Sequence, residues 1–142
     1  MAETCEEIIA DLLEWLQGVD GQQTVDRGEH KVPEKLEALP AIILLEGEDD
    51  VNEVSRRGSK RDWPIYLALI VAGSDADSML YDLATFRMAV KRRMKDFRGR
   101  MGQWNGSIYE TGRGIPMETE QGNYVVAQTL AYLVKYVEPP LT

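Results

Sequence analysis

A chain of 142 residues falls in the size range of a single domain, and 44% hydrophobic with 28% charged residues is enough apolar matter for a core and too much for a disordered segment. Cys5 is the one cysteine, which excludes an intrachain disulfide and a thiolate metal cluster. No stretch approaches the roughly 20 apolar residues that span a bilayer, the first residues are acidic where a secretory leader is basic, and the net charge of −8 argues against general affinity for nucleic-acid phosphates.

The chain opens on an expected helix, because Cys5, Ile8, Ile9, Leu12, Leu13 and Leu16 recur at the spacing of one helical face. Thr4 with Glu7 three residues later reads as a capping box, and Gly18 as the stop. Val19 to Leu39 is polar and broken by Gly21, Gly28 and Pro33, with room for a short strand near Thr24. Leu39-Pro40 then introduces Ala41 to Glu46, a run apolar on both faces that predicts a buried strand.

Residues 47–62 carry acidic side chains at the start and basic ones at the end, so they belong in solvent as a loop or a protruding hairpin. Trp63 to Val71 is the clearest strand, with Ile65, Leu67, Leu69 and Val71 on one face and Tyr66, Ala68 and Ile70 on the other. After Gly73, capped by Ser74 or Asp75, the stripe Ala76, Met79, Leu80, Leu83, Phe86, Val90, Met94 and Phe97 predicts a long amphipathic helix. A turn is expected over Gly99 to Gly106, a short strand at Ser107 to Thr111, and a breaker-rich stretch to Gly122. Tyr124 to Val137 reads as a long strand ended by Pro139 and Pro140. The fold class is therefore α+β: a mixed, mostly antiparallel sheet packed against two main helices, in a single domain over 1–142.

No catalytic constellation emerges. Serine or cysteine catalysis needs a base, and the single histidine, His30, sits among polar neighbours as an ordinary surface residue. Cys5 lies on an apolar helix face, where a thiol is inert. The junction Val71-Ala-Gly-Ser-Asp75 has one glycine followed by aspartates, which suits a helix cap and not a phosphate. Glu46, Glu48, Asp49 and Asp50 lack the alternation and central glycine of a calcium loop. Neither a metal nor a cofactor is expected, and the chain reads as no enzyme.

Charge is divided along the chain. Residues 1–54 hold 15 acidic and 3 basic side chains, residues 55–100 hold 5 and 11, and residues 101–142 hold 4 and 2. Arg87, Lys91, Arg92, Arg93, Lys95 and Arg98 gather toward the end of the second helix. Cations there offset the helix dipole, and they also make a docking surface for an acidic partner, including another copy of this chain. Unlike surfaces of identical subunits meeting head to tail close into a ring when the rotation permits.

The order of elements is a capped helix, the strand LPAIILLE, a charged protrusion, the strand WPIYLALIV, a long helix and the final strand NYVVAQTLAYLVKYV. That order resembles the tail terminator, or tail-completion, proteins of long-tailed bacteriophages over roughly Thr4 to Val137. The resemblance rests on element order, with Leu39-Pro40 and Trp63-Pro64 entering the two core strands, and on no invariant motif.

It implies a virion protein of the tail, made in the bacterial cytoplasm, that caps the tail tube as a hexameric ring, ends its polymerisation and joins it to the head. Its partners would be itself, the major tail tube protein and a head–tail connector protein, without membrane or sequence-specific nucleic acid. Candidate contacts are Asp49, Asp50, Arg56, Arg57, Lys60 and Arg61 in the protrusion, and Arg87, Lys91, Arg92, Lys95 and Arg98 on the helix. The alternative reading is a nucleic-acid-binding module using the Arg87 to Arg98 face, with aromatic side chains stacking bases.

Overall fold

The computed structural model describes residues 3–28, 38–118 and 124–140. Seven strands form one sheet: β1 (Thr24–Arg27), β2 (Ala41–Glu46), β3 (Asp50–Ser55), β4 (Gly58–Ala72), β5 (Ser107–Arg113), β6 (Met117–Glu118) and β7 (Val125–Glu138). The spine is the β4–β7 pair, antiparallel from Ser59 opposite Glu138 to Ala72 opposite Val125. β2 and then β3 run along the other side of β4, while β5 and then β6 run along the other side of β7. β1 adds to β2 in parallel, and every other pairing is antiparallel, so the expected α+β class holds.

Alternation decides which face carries the helices. Trp63, Ile65, Leu67, Leu69 and Val71 of β4 join Val126, Leu130, Tyr132, Val134 and Tyr136 of β7 in one core with α1 (Thr4–Leu16) and α2 (Ala76–Phe97). The opposite face holds a smaller cluster, Leu39, Ala41, Ile43, Leu45, Ile70 and Val125. Both faces of the two central strands are therefore apolar, which is why their sequences read as continuous hydrophobic runs.

The start of α1 corrects the expected capping box. Thr4 is the first helical residue, Glu3 is the N-cap, and no side chain of the local sequence caps it. The Thr4 backbone N–H instead donates to Glu138 Oε2 at 3.2 Å, a carboxylate from the far end of the chain. α1 ends at Leu16 with Gln17 as its C-cap, directly before Gly18 as expected, and the glycine has a second role there. A Cβ there would stand 2.4 Å from Arg93 Nη2, so glycine leaves room for that guanidinium. Arg93 lies 3.8 Å over the Trp15 ring and donates from Nε to the Trp15 carbonyl at 2.8 Å, while Trp15 Nε1 donates to the Arg93 carbonyl at 2.8 Å. This reciprocal clamp ties α1 to α2 and removes Arg93 from the basic surface.

α2 begins with a capping box: Asp75 accepts from the Ser78 backbone N–H at 2.7 Å, and the Asp75 N–H donates back to Ser78 Oγ. Met79, Leu83, Phe86, Val90, Met94 and Phe97 are buried, whereas Ala76 and Leu80, expected in the stripe, are exposed. Leu80 sits about 100° round the helix from Met79 and so falls on its flank. The turn expected over Gly99 to Gly106 is instead a 3-10 helix, Arg98–Trp104, ending at Asn105 in left-handed geometry. Gly99 and Gly102 face open space there, while Met101 and Trp104 carry the segment into the core.

Candidate functional site

Residues 47–62, left open between loop and hairpin, form a hairpin. Ser55 pairs with Gly58 across a turn made of Arg56 and Arg57, both exposed. Every residue of β3 is exposed, and the register shifts between Val51 and Glu53. The hairpin is not free-standing, because the end of β7 pairs with its β4 limb from Ser59 to Asp62. Among the described residues β3 pairs with β4 alone and is an edge of the sheet.

A groove lies between this hairpin and the start of α1, its lining including Glu3, Asp49, Val54, Arg61, Tyr136 and Glu138. Asp49 Oδ2 accepts from the Tyr136 hydroxyl and stands 3.9 Å from Arg61 Nη1. Asp49 Oδ1 is buried without a partner. Burial, and then the bond to Asp49, push the Tyr136 hydroxyl far above its ordinary value. Three carboxylates against one guanidinium make the groove acidic. Lys60 pairs with Glu53 at 3.4 Å on the opposite face, and Asp50 stands opposite Asp62.

The basic residues of α2 do not act as one surface. Arg87 Nη1 donates to Gln128 Oε1 at 2.7 Å, and Gln128, itself buried, donates from Nε2 to the Gly114 carbonyl at 2.8 Å. Arg87 Nε is buried without a partner, and Arg113 faces the same recess beside Leu80, Ile115 and Pro116. Burial, and then the Arg113 charge, hold the Arg87 guanidinium below its ordinary value. Lys91 pairs with Glu110 at 3.0 Å. Lys95 and Arg98 border a small recess with Tyr132, whose hydroxyl burial pushes upward, and Arg92 is exposed.

The structure thus gathers Asp49 with Arg61, and leaves Asp50, Arg56, Arg57, Arg92, Lys95 and Arg98 at the surface. Sequence reasoning missed Tyr136, Gln128, Arg113 and Ile115. Gln128 had a signal, as the one polar residue on the face of β7 that otherwise carries Val126, Leu130, Tyr132, Val134 and Tyr136. Arg27 bridges Glu6 and Glu46, and Arg100 grips Asp11, both as structural ties. Among the described residues no three ligating side chains gather to hold a metal, and no helix is long and apolar enough to cross a membrane. His30 lies outside the described residues.

Cys5 is half-buried at the base of α1, and burial, with Glu3 beside it, pushes its thiol from 9.0 up to about 11. Two units leave about a hundredth of the ordinary thiolate at pH 8. Iodoacetamide is therefore expected to label native Cys5 about a hundredfold more slowly than the denatured chain; equal rates would contradict this placement. The folded value is raised, so this group's contribution to stability is complete below pH 9 and is lost as pH rises toward 11.

No family model matches the chain, and no curated protein matches it. Among solved structures, a chain from the virion of a native gene transfer agent particle is similar with a TM-score of 0.49 at 12% identity, over 96% of this chain and 92% of that one. A likeness of this size identifies neither family nor function.

Proposed function

We propose that this chain is a structural virion protein that caps the tail tube of a long-tailed bacteriophage as a hexameric ring, ends tube growth and forms the head-joining surface. The observation that carries the reading is the pair of open flanks on one sheet. β3 is exposed along its whole length with Val51 and Val54 uncovered, and the β5–β6 side exposes Tyr109, Ile115 and Met117. The register shift and the charges of Asp50 and Glu53 blunt β3 against strand addition, so what both flanks offer a partner is uncovered apolar side chains, which mark contact surfaces.

In this reading the partners are other copies of the chain, the major tail tube protein and the head–tail connector, and the surfaces act by contact and not by chemistry. This reading assigns the tube contact to the Arg56-Arg57 turn because it stands exposed at the end of the hairpin. The test is tube growth in vitro. Added chain is expected to stop elongation at substoichiometric ratio, and Arg56→Glu with Arg57→Glu to weaken this about tenfold or more while leaving stability within about 0.5 kcal/mol, as both residues are exposed. Tubes of unchanged length with the unaltered chain would overturn the reading.

The exposed Arg92, Lys95 and Arg98 favour, as a second reading, a nucleic-acid contact. Three phosphate contacts would give a slope of log affinity against log salt of about −2 to −3. A flat salt response in a gel shift removes it.

A further inference from the structure

Two buried side-chain polar atoms among the described residues have no hydrogen-bond partner, and they are opposite in kind: a carboxylate oxygen, Asp49 Oδ1, and a guanidinium nitrogen, Arg87 Nε. Each sits in an open recess of matching charge. Asp49 shares its groove with Glu3 and Glu138 against Arg61, and Arg87 shares its recess with Arg113. Both recesses are rimmed by uncovered apolar side chains, Val54 at 75% exposure on one and Ile115 at 82% on the other. Their anchors on β7, Tyr136 and Gln128, stand eight residues apart, roughly 26 Å along an extended strand, so the two cannot meet within one molecule.

We infer that the Arg113–Met117 corner between β5 and β6 of one copy docks in the acidic groove between the β3–β4 hairpin and the α1 start of a second copy. Charge complementarity selects the occupant: the wall of the Arg87 recess formed by Arg113, Gly114, Ile115 and Pro116, with Ile115 82% exposed, is a knob whose guanidinium and apolar side chain meet the carboxylates and Val54 of the groove on an identical chain. The knob is already held in shape, because the Gly114 N–H donates to the Thr129 carbonyl and its own carbonyl accepts from Gln128. Little ordering is then needed on binding. Unlike surfaces meeting in this way make a heterologous contact, which closes into a ring where its rotation permits and otherwise runs on as a filament. The inference rests on the ring reading for its biological sense, and it names the surfaces that reading leaves unassigned.

The test uses two variants at exposed positions, Val54→Arg in the groove and Ile115→Glu on the knob, both expected to fold as the unaltered chain does by circular dichroism. Each variant alone keeps one good surface and one spoiled one, and is expected to sediment as a monomer. An equimolar mixture joins the knob of the first to the groove of the second, and is expected to form a dimer and nothing larger. If either variant alone assembles as the unaltered chain does, or the mixture stays monomeric, these surfaces are not the interface, while rings of the unaltered chain leave the ring reading standing. An unaltered chain that is monomeric at its highest soluble concentration, alone and in the presence of tube protein, overturns both.

Discussion

Truncation of Trp63 to alanine is expected to lower the stability of the fold by about 3–5 kcal/mol, the range for removing a large aromatic side chain from a packed core. Trp63 is 2% exposed and meets the Tyr136 ring edge-on, with centroids 6.2 Å apart. It stands where β4 passes from the helix-covered part of the sheet to the hairpin, paired with Val134 of β7. Its loss leaves a cavity bounded by strands that are paired on both sides and cannot collapse inward. Urea unfolding should show a lower midpoint with an unchanged slope. A loss below about 1 kcal/mol would mean that the core does not extend beneath the hairpin.

Replacement of Gly58 by alanine is expected to cost about 2–4 kcal/mol, from two independent causes. Gly58 has φ of +126°, a conformation that side-chain-bearing residues rarely adopt, and an added Cβ would lie 2.1 Å from the Glu138 carbonyl oxygen. That oxygen belongs to backbone, so relief requires the Ser59–Glu138 end of the β4–β7 ladder to open. Opening it also withdraws the Glu138 carboxylate from the Thr4 N–H at the start of α1. Amide exchange should therefore quicken in the hairpin and at the first turn of α1 together. Arg57→Ala, one residue away and exposed, is the control, with an expected change within about 0.5 kcal/mol. Exchange that quickens at Gly58 alone would contradict the linkage.

The parts of the fold that local pattern controls were readable from sequence. Alternation along Trp63 to Val71 assigned the faces of β4, Tyr124 to Val137 was legible as the long strand β7, and the six buried positions of α2 follow helical spacing. Long-range partners were not readable. The α1 start depends on Glu138, the room at Gly18 depends on Arg93, and Asp49 depends on Tyr136, each a contact between residues far apart in sequence. Charge clustering overstated the basic face of α2 for the same reason. Arg87, Lys91 and Arg93 are engaged with Gln128, Glu110 and Trp15, and only the tertiary structure brings those partners within reach. Along the sequence, the breaker-rich run after Gly112 gave no hint that Arg113 and Ile115 would stand together at an exposed corner.

The mass of the native particle formed by the purified chain tests the central claim most directly. Native mass spectrometry, alone and with tail tube protein, is expected to find a closed ring of a single copy number that also binds tube ends. A chain that remains a monomer at its highest soluble concentration, in low salt and in the presence of tube protein, would contradict the account.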